Sequence, residues 1–345
     1  MQSFETYMKR CLQLANKGIG NVSPNPLVGS VIVHNNKIIG EGYHKKYGES
    51  HAEVNAIANV KNKELLSEST IYVNLEPCSH HGKTPPCCEL IVKHKIKHVV
   101  VGCLDYSEKV NGKGIHYLEK HGVKVTIDVL KEKCFWINRR FFENQIKNKP
   151  YIILKWAQTQ DGFIDKKRVE NETGINWITS EKTKIITHNW RKEEDAILVG
   201  RKTVENDNPE LTVREIDGKN PIRIVIDSEL KLNSNYKVFN DKAKTIVINH
   251  KESKIINNIE YLKTDKNSTI NDLLTHLQKN KIGSLIVEGG AETLNFFIKN
   301  NLWNEARVLV GNKQFKEGVK APYINKNNSI ISSINQDKLH TFYND

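Results

Sequence analysis

The chain has 345 residues, long for one hydrophobic core, so two domains are expected. Lys plus Arg number 52 against 40 Asp plus Glu, a formal net charge of +12. No block of five like charges marks a nucleic-acid arm, and the excess favours a small anionic ligand. No run approaches the ~18 apolar residues of a membrane span, and "MQSFETYMKRCLQLANKG" lacks a signal peptide's apolar core, so a cytoplasmic protein with no membrane partner is expected.

In chain order, Phe4, Met8, Cys11, Leu12 and Ala15 recur at helical spacing. "LVGSVIV", "KIIGEGY", "TIYVNLE", "HVVVGC" and "VKVTID" then read as strands, and 51–60, 87–95, 112–121 and 131–147 as helices. The polar stretch from Lys147 to Pro150 is the expected boundary, giving domains over 1–147 and 150–345. Beyond it "YIILKWAQ", "DAILVG", "IRIVID", "KTIVIN", "SLIVEGG" and "ARVLVG" read as strands, with helices near 180–192, 270–280 and 290–300. Both halves are α/β, and the polar stretch 311–345 is left without an assignment.

All six cysteines lie in the first 134 residues, which in a reducing compartment points to a metal or a reactive thiol. His51, Cys78 and Cys87 form the three-ligand set of a catalytic zinc, with Glu53 beside them and no ligand role of its own. Water on such a zinc ionises near neutral pH, and Glu53 is then the residue to carry a proton to a leaving amine. Cys88 is adjacent but points elsewhere at the start of a helix, and Cys11, Cys103 and Cys134 sit in apolar periodic segments as core residues.

H-x-E followed by P-C and a further Cys is the signature of zinc nucleobase deaminases, here with eight residues, "SHHGKTPP", between Cys78 and Cys87. With "SPNPLVGSVIV" at 23–33, "GEGYHKKYGESHAEV" at 40–54 and "VNGKGI" at 110–115, the first half resembles the bifunctional riboflavin-biosynthesis deaminase/reductase family. The resemblance implies a cytidine-deaminase-like three-layer domain, with His44 and His80 as substrate contacts. Asn25, rigid between two prolines, suits a pyrimidine edge, and Lys83 a substrate phosphate. Tyr106, Ser107 and Glu108 replace the family's usual Pro-Asn-Pro, so that loop is expected to differ in shape.

The second half has no G-x-G-x-x-G. "SLIVEGGAETLNFF" at 284–297, "AILVGRKTVENDNPELTVR" at 196–214 and "WAQTQDGFI" at 156–164 resemble the reductase half of the same family, similar in fold to dihydrofolate reductase and using NADPH. The resemblance places Ala157, Trp177, Thr203, Asp207 and Gly290, Ala291, Glu292, Thr293, Leu294, Asn295 and Phe296 at the dinucleotide. It places Lys155, Arg191, Leu211, Arg214 and Glu288 at the substrate, and Ile175 departs from the family's serine. Arg201 and Lys202 are expected near the 2′-phosphate of NADPH. It further implies a pyrimidine ribose phosphate substrate; the ligand spacing and the missing fourth ligand predict one zinc per chain, and a homo-oligomer is expected. Two other classes share part of the pattern: a nucleic-acid-editing zinc deaminase, and a zinc-dependent nucleotide sensor in which Glu53 has no task.

Overall fold

In the computed structural model, which describes residues 3–81, 85–107, 110–169, 172–325 and 329–344, the chain forms two compact units, Met1–Lys149 and Pro150–Asp345. The first runs α1 (Phe4–Asn16), β1 (Gly29–His34), β2 (Lys37–Tyr43), α2 (Ala52–Ala58), β3 (Thr70–Leu75), α3 (Cys87–Lys93), β4 (His98–Cys103), α4 (Lys113–Lys120), β5 (Lys124–Thr126), α5 (Lys131–Ile137) and α6 (Arg139–Lys147). The sheet order is β2-β1-β3-β4-β5, antiparallel up to β3 and parallel from β3 to β5. Because alternate strand residues face opposite sides, Val31 and Val33 join Met8, Cys11, Cys134 and Phe142 on one face, packed by α1, α5 and α6. Ile32, Ile71 and Val73 join Ile57, Cys88, Ile91 and Leu118 of α2, α3 and α4 on the other. Each fully buried aliphatic side chain contributes about 1.5–3 kcal/mol.

Two details set the site. A Cβ on Gly42 would lie 2.3 Å from the Ala56 nitrogen, so glycine is what lets α2 rest directly on β2. The single helix expected over 131–147 breaks at Asn138, whose side chain accepts the Leu27 N–H at 2.7 Å and donates to the Leu27 carbonyl at 3.0 Å. A side chain that bonds backbone elsewhere competes with helix continuation, and here it fastens the loop preceding β1.

The second unit contains β6 (Tyr151–Gln158), β7 (Phe163–Asp165), α7 (Glu181–Glu193), β8 (Ala196–Gly200), α8 (Arg201–Asp207), β9 (Ile222–Ile226), β10 (Thr245–Asn249), β11 (Lys254–Ile256) and β12 (Ile259–Lys263). It continues with α9 (Thr269–Lys279), β13 (Ser284–Val287), α10 (Ala291–Lys299), β14 (Glu305–Val310), β15 (Val319–Lys320), β16 (Ile330–Ile334) and β17 (Asp337–Tyr343). The large sheet is ordered β11-β12-β10-β9-β8-β13-β6-β14-β17-β16 and is parallel from β12 to β14. Leu154, Leu198, Ile224, Leu285 and Val287 pack under α9 and α10, and Ile153, Ile197, Val199, Val225 and Ile286 fill the opposite face with Val204 of α8. Helices cover both faces, as a parallel sheet requires.

The polar stretch 311–345 is part of this sheet: β17 pairs antiparallel with β14, and β16 returns beside it through a turn with Asn335 at a φ of 56°. The buried Asp337 carboxylate accepts the Ser180 N–H at 2.8 Å, the Ser180 hydroxyl at 2.8 Å and the Thr183 hydroxyl at 2.6 Å, which caps α7 from a distant part of the chain.

Candidate functional sites

His51 stands at the N-cap of α2, Cys78 follows β3, and Cys87 opens α3. Folding brings their donor atoms within 4.8 Å of one another, with His51 Nδ1 3.5 Å from Cys78 Sγ and 3.4 Å from Cys87 Sγ. The Cys87 N–H donates to Cys78 Sγ at 3.3 Å. A hydrogen bond from Cys87, with help from His51, pulls the Cys78 thiol down to about 4. That thiolate in turn pushes Cys87 up and raises His51 to about 9. One anion thus collects its neighbours' protons, and these are the protons that a divalent cation releases on binding two thiolates and an imidazole. The donor set fits zinc. Cys88 packs in the apolar layer with Val73 and Ile91, outside the set.

Glu53, 3 % exposed in the first turn of α2, is pushed up to about 7 by burial and then by the Cys78 charge. A carboxyl that gains and loses a proton near neutrality suits proton transfer. His44 packs edge-on to His51 with ring centroids 5.6 Å apart. Its Nδ1 donates to the Ser50 carbonyl at 3.1 Å, which leaves Nε2 to accept from Asn25 Nδ2 at 3.1 Å. Burial lowers its pKa, so the ring is neutral. Asn25 and His44 therefore flank the metal set, whereas His80 is exposed and Lys83 lies outside the described residues, as does Glu108.

Glu76 is a residue the sequence reading missed. Its buried carboxylate accepts four backbone N–H groups: Asp105 at 3.2 Å, Gly112 at 3.1 Å, Gly114 at 2.9 Å and Ile115 at 3.3 Å. It thereby fastens the segment after β4, and the N-terminus of α4, to the residues leading into Cys78. The available signal was a carboxylate at the end of an apolar strand, which burial makes costly unless it is bonded. The loop with Tyr106 and Ser107 is held by the Ser107 N–H on Asp105 Oδ1 at 2.9 Å, and Tyr106 meets Phe135 and Phe142 edge-on.

In the second unit the C-terminal ends of β6, β8, β9 and β13 open into a cavity of about 1120 Å³, the usual ligand position in parallel sheets. At its floor the Glu288 carboxylate meets Arg191 Nη2 at 2.7 Å and Lys155 Nζ at 3.7 Å, and although burial alone would raise its pKa, the two cations hold it down at about 2. Leu211, Arg214, Ala157, Trp177, Thr203, Asp207 and Gly290 to Leu294 also line the cavity; Asn295 and Phe296 do not, because the helix turns them to solvent. A Cβ on Gly289 would lie 2.6 Å from the Val199 Cα, so β8 and β13 can close up only with glycine there. Gly290, at a φ of 51°, leads into the nine-residue α10 and leaves its backbone open to a ligand. Ile175 and Trp177 stand at the rim, each 46 % exposed, with the Lys184 ammonium 3.9 Å over the Trp177 ring. Arg201 is bonded to Glu205, and Lys202 lies 3.3 Å from Glu292.

Two further lining residues had no sequence signal of their own. Arg168 joins Asp165 and Asp207, each at 2.7 Å, and the Gly174 carbonyl at 2.9 Å. His188 Nδ1 accepts the Arg214 N–H at 3.1 Å.

A metal-competent His–Cys–Cys set with a buried carboxyl beside it in one α/β unit, and a basic, glycine-edged cleft in a second, fit a two-domain enzyme of the zinc-deaminase and reductase class. The description "Cytidine and deoxycytidylate deaminase zinc-binding region" matches residues 1–103, and "RibD C-terminal domain" matches 150–315. The chain is 39 % identical to riboflavin biosynthesis protein RibD of Aquifex aeolicus, over 91 % of this chain and 88 % of that one, and 33 % identical to RibD of Escherichia coli, over 90 % and 88 %. A Thermotoga maritima structure, described as a diaminohydroxyphosphoribosylaminopyrimidine deaminase/5-amino-6-(5-phosphoribosylamino)uracil reductase, superposes with a TM-score of 0.90 at 34 % identity, covering 99 % of this chain and 98 % of that one. Acinetobacter baumannii RibD gives 0.87 at 28 % identity, over 99 % and 98 %. The chain belongs to the RibD family, the bifunctional deaminase and reductase of riboflavin biosynthesis.

Proposed function

We propose that residues 1–147 hydrolyse the amine from carbon 2 of 2,5-diamino-6-(5-phosphoribosylamino)pyrimidin-4-one, and that residues 150–345 reduce the ribosyl chain of the product to ribityl. The observation that carries the reading is the convergence of His51, Cys78 and Cys87 beside a buried Glu53 that is protonatable near neutrality. Zinc held by the three would supply the Lewis acidity that makes water nucleophilic at neutral pH. Glu53 takes the proton from that water and delivers it to the amine, which leaves as ammonia. Asn25 and His44 orient the pyrimidine, and His80 and Lys83 serve its phosphoribosyl end.

In the second unit NADPH would supply hydride to carbon 1 of the opened sugar. Ala157, Trp177, Thr203, Asp207 and the stretch from Gly290 hold the dinucleotide, with Arg201 and Lys202 toward its 2′-phosphate. Arg191 and Arg214 hold the substrate phosphate, because guanidinium forks match phosphate oxygens. Lys155, Leu211 and Glu288 place the sugar. A homo-oligomer goes with this reading, supported by the exposed Ile330 and Ile331 on the edge strand β16, and sedimentation would measure it. The six free cysteines support a reducing, cytoplasmic setting.

The test is elemental analysis together with both half-reactions on purified protein. The expected result is one zinc per chain, ammonia release from the pyrimidine phosphate, and NADPH oxidation with the deaminated product. Zinc lost only on Cys88→Ser, or ammonia released from tRNA or single-stranded DNA instead, would overturn it.

A further inference from the structure

His188 lies on α7, 4 % exposed, one turn from Arg191. Because its Nδ1 accepts the Arg214 N–H at 3.1 Å, the ring hydrogen must sit on Nε2, which fixes the neutral tautomer. The bond ends on a segment that needs restraint. Leu211 there is buried at a φ of 58°, a conformation that side chains avoid and that persists only where surroundings impose it. Its other ties include the Val213 N–H on Asn220 Oδ1 at 2.8 Å, Arg191 Nη1 on the Thr212 carbonyl at 3.4 Å and Arg214 Nη1 3.7 Å from Glu210 Oε2.

We propose that His188 is a positioning residue for the reductase: as acceptor of the Arg214 N–H it locks the Leu211–Arg214 segment and so sets where Arg214 meets the substrate phosphate. This rests on reading Arg191 and Arg214 as phosphate ligands. Arg191 from its own helix and Arg214 from the locked segment favour the neutral ring, while Glu215, just past that segment, and Glu288 at the end of β13, with Lys155 of β6 behind it, oppose them. Burial first, then the two guanidiniums, hold the imidazole down at about 4. Protonation would turn Nδ1 from acceptor to donor against an N–H, so the lock opens only in acid.

His188→Asn offers Oδ1 where Nδ1 stood, and His188→Leu offers nothing. In the full zinc-loaded chain at neutral pH, Asn should keep KM for 5-amino-6-(5-phosphoribosylamino)uracil within about twofold. Leu should raise it about tenfold, the effect of leaving a part-buried N–H without its acceptor, with kcat little changed. Ammonia release, a property of the first unit, should be unchanged in both, and denaturant unfolding of the second unit reports whether its fold is intact. Nitrogen-15 NMR of the ring should show an accepting Nδ1 and a midpoint well below 6.5. An unchanged KM in the Leu variant, equal losses in Asn and Leu, or a ring that titrates at or above 6.5 would overturn the proposal. Should Leu fail to fold, the Asn variant and the NMR titration decide. If the unchanged chain does not reduce this substrate, the functional reading fails instead, and titration with ribose 5-phosphate replaces KM as the readout for the lock.

Discussion

The metal set of the first unit joins residues 27 and 36 positions apart in sequence, whereas the Arg191–Glu288 pair of the second spans 97. Metal binding needs particular donor atoms within bonding reach, so residue type and spacing nearly specify that site. The cleft of the second unit is shaped instead by backbone, glycine and strand ends drawn from across the chain. Chemistry done by ligand atoms is written compactly in a sequence; chemistry done by shape is dispersed.

The sharpest way to break this comparison is Glu53→Gln. It should retain zinc and fold, lose about 100- to 10,000-fold in ammonia release, and still oxidise NADPH with the deaminated intermediate. A parallel loss of NADPH oxidation at normal zinc content would mean the sites are not separate.

Glu288→Gln is the converse, a large loss of NADPH oxidation with ammonia release intact. It also strands two buried cations, at a cost of about 3–5 kcal/mol to the second unit, read from denaturant unfolding. The same carboxylate gives a pH signature. Its folded value of about 2 lies below its ordinary 4.5, so it contributes stability that is full above 4.5 and lost as pH falls toward 2. That contribution is of order 3 kcal/mol, and the Gln variant should flatten the slope in this window.

Glu76→Gln tests whether the deaminase site depends on more than its ligands. An amide cannot accept as many N–H groups as a carboxylate, so the segment after Asp105 should loosen. KM for ammonia release should rise about tenfold with zinc content unchanged. Loss of zinc instead would make Glu76 a support for Cys78 alone.

The smallest effect is expected from replacing Arg201 and Lys202 by Ala. Each already has an acidic neighbour, and Lys202 is largely exposed, so the preference for NADPH over NADH should fall several-fold rather than vanish. An unchanged ratio of kcat/KM values would place 2′-phosphate recognition elsewhere.

Legibility followed the same division. Apolar runs such as "HVVVGC" and "SLIVEGG" read directly as strands because a sheet covered on both faces needs continuous apolar segments. The break at Asn138 was hidden because its cause, the Leu27 backbone, is 111 residues away. The hairpin of β16 and β17 was missed because the edge strand carries two serines and its partner a lysine and a histidine, which leaves little apolar alternation, although Asn335 was a turn signal. His51, Glu53, Cys78 and Cys87 came from residue chemistry, and the reductase positions from resemblance. Glu76 offered only the hint of a carboxylate ending an apolar strand, and His188 none, because each bonds backbone brought to it only by the fold.

The bond from Asp337 to Ser180 spans 157 residues, and it fastens the helix that bears Arg191. During synthesis the first unit has its last helix by Lys147, about 190 residues before Asp337 emerges. At roughly 5–20 residues per second that interval is about 10–40 s. A nascent chain therefore presents a finished deaminase fold well before its second helical layer can be fastened. Ribosome-stalled chains ending near residue 320 should resist protease through Lys147 yet be cut within Glu181–Glu193; protection of α7 in such chains would show that the cap is dispensable.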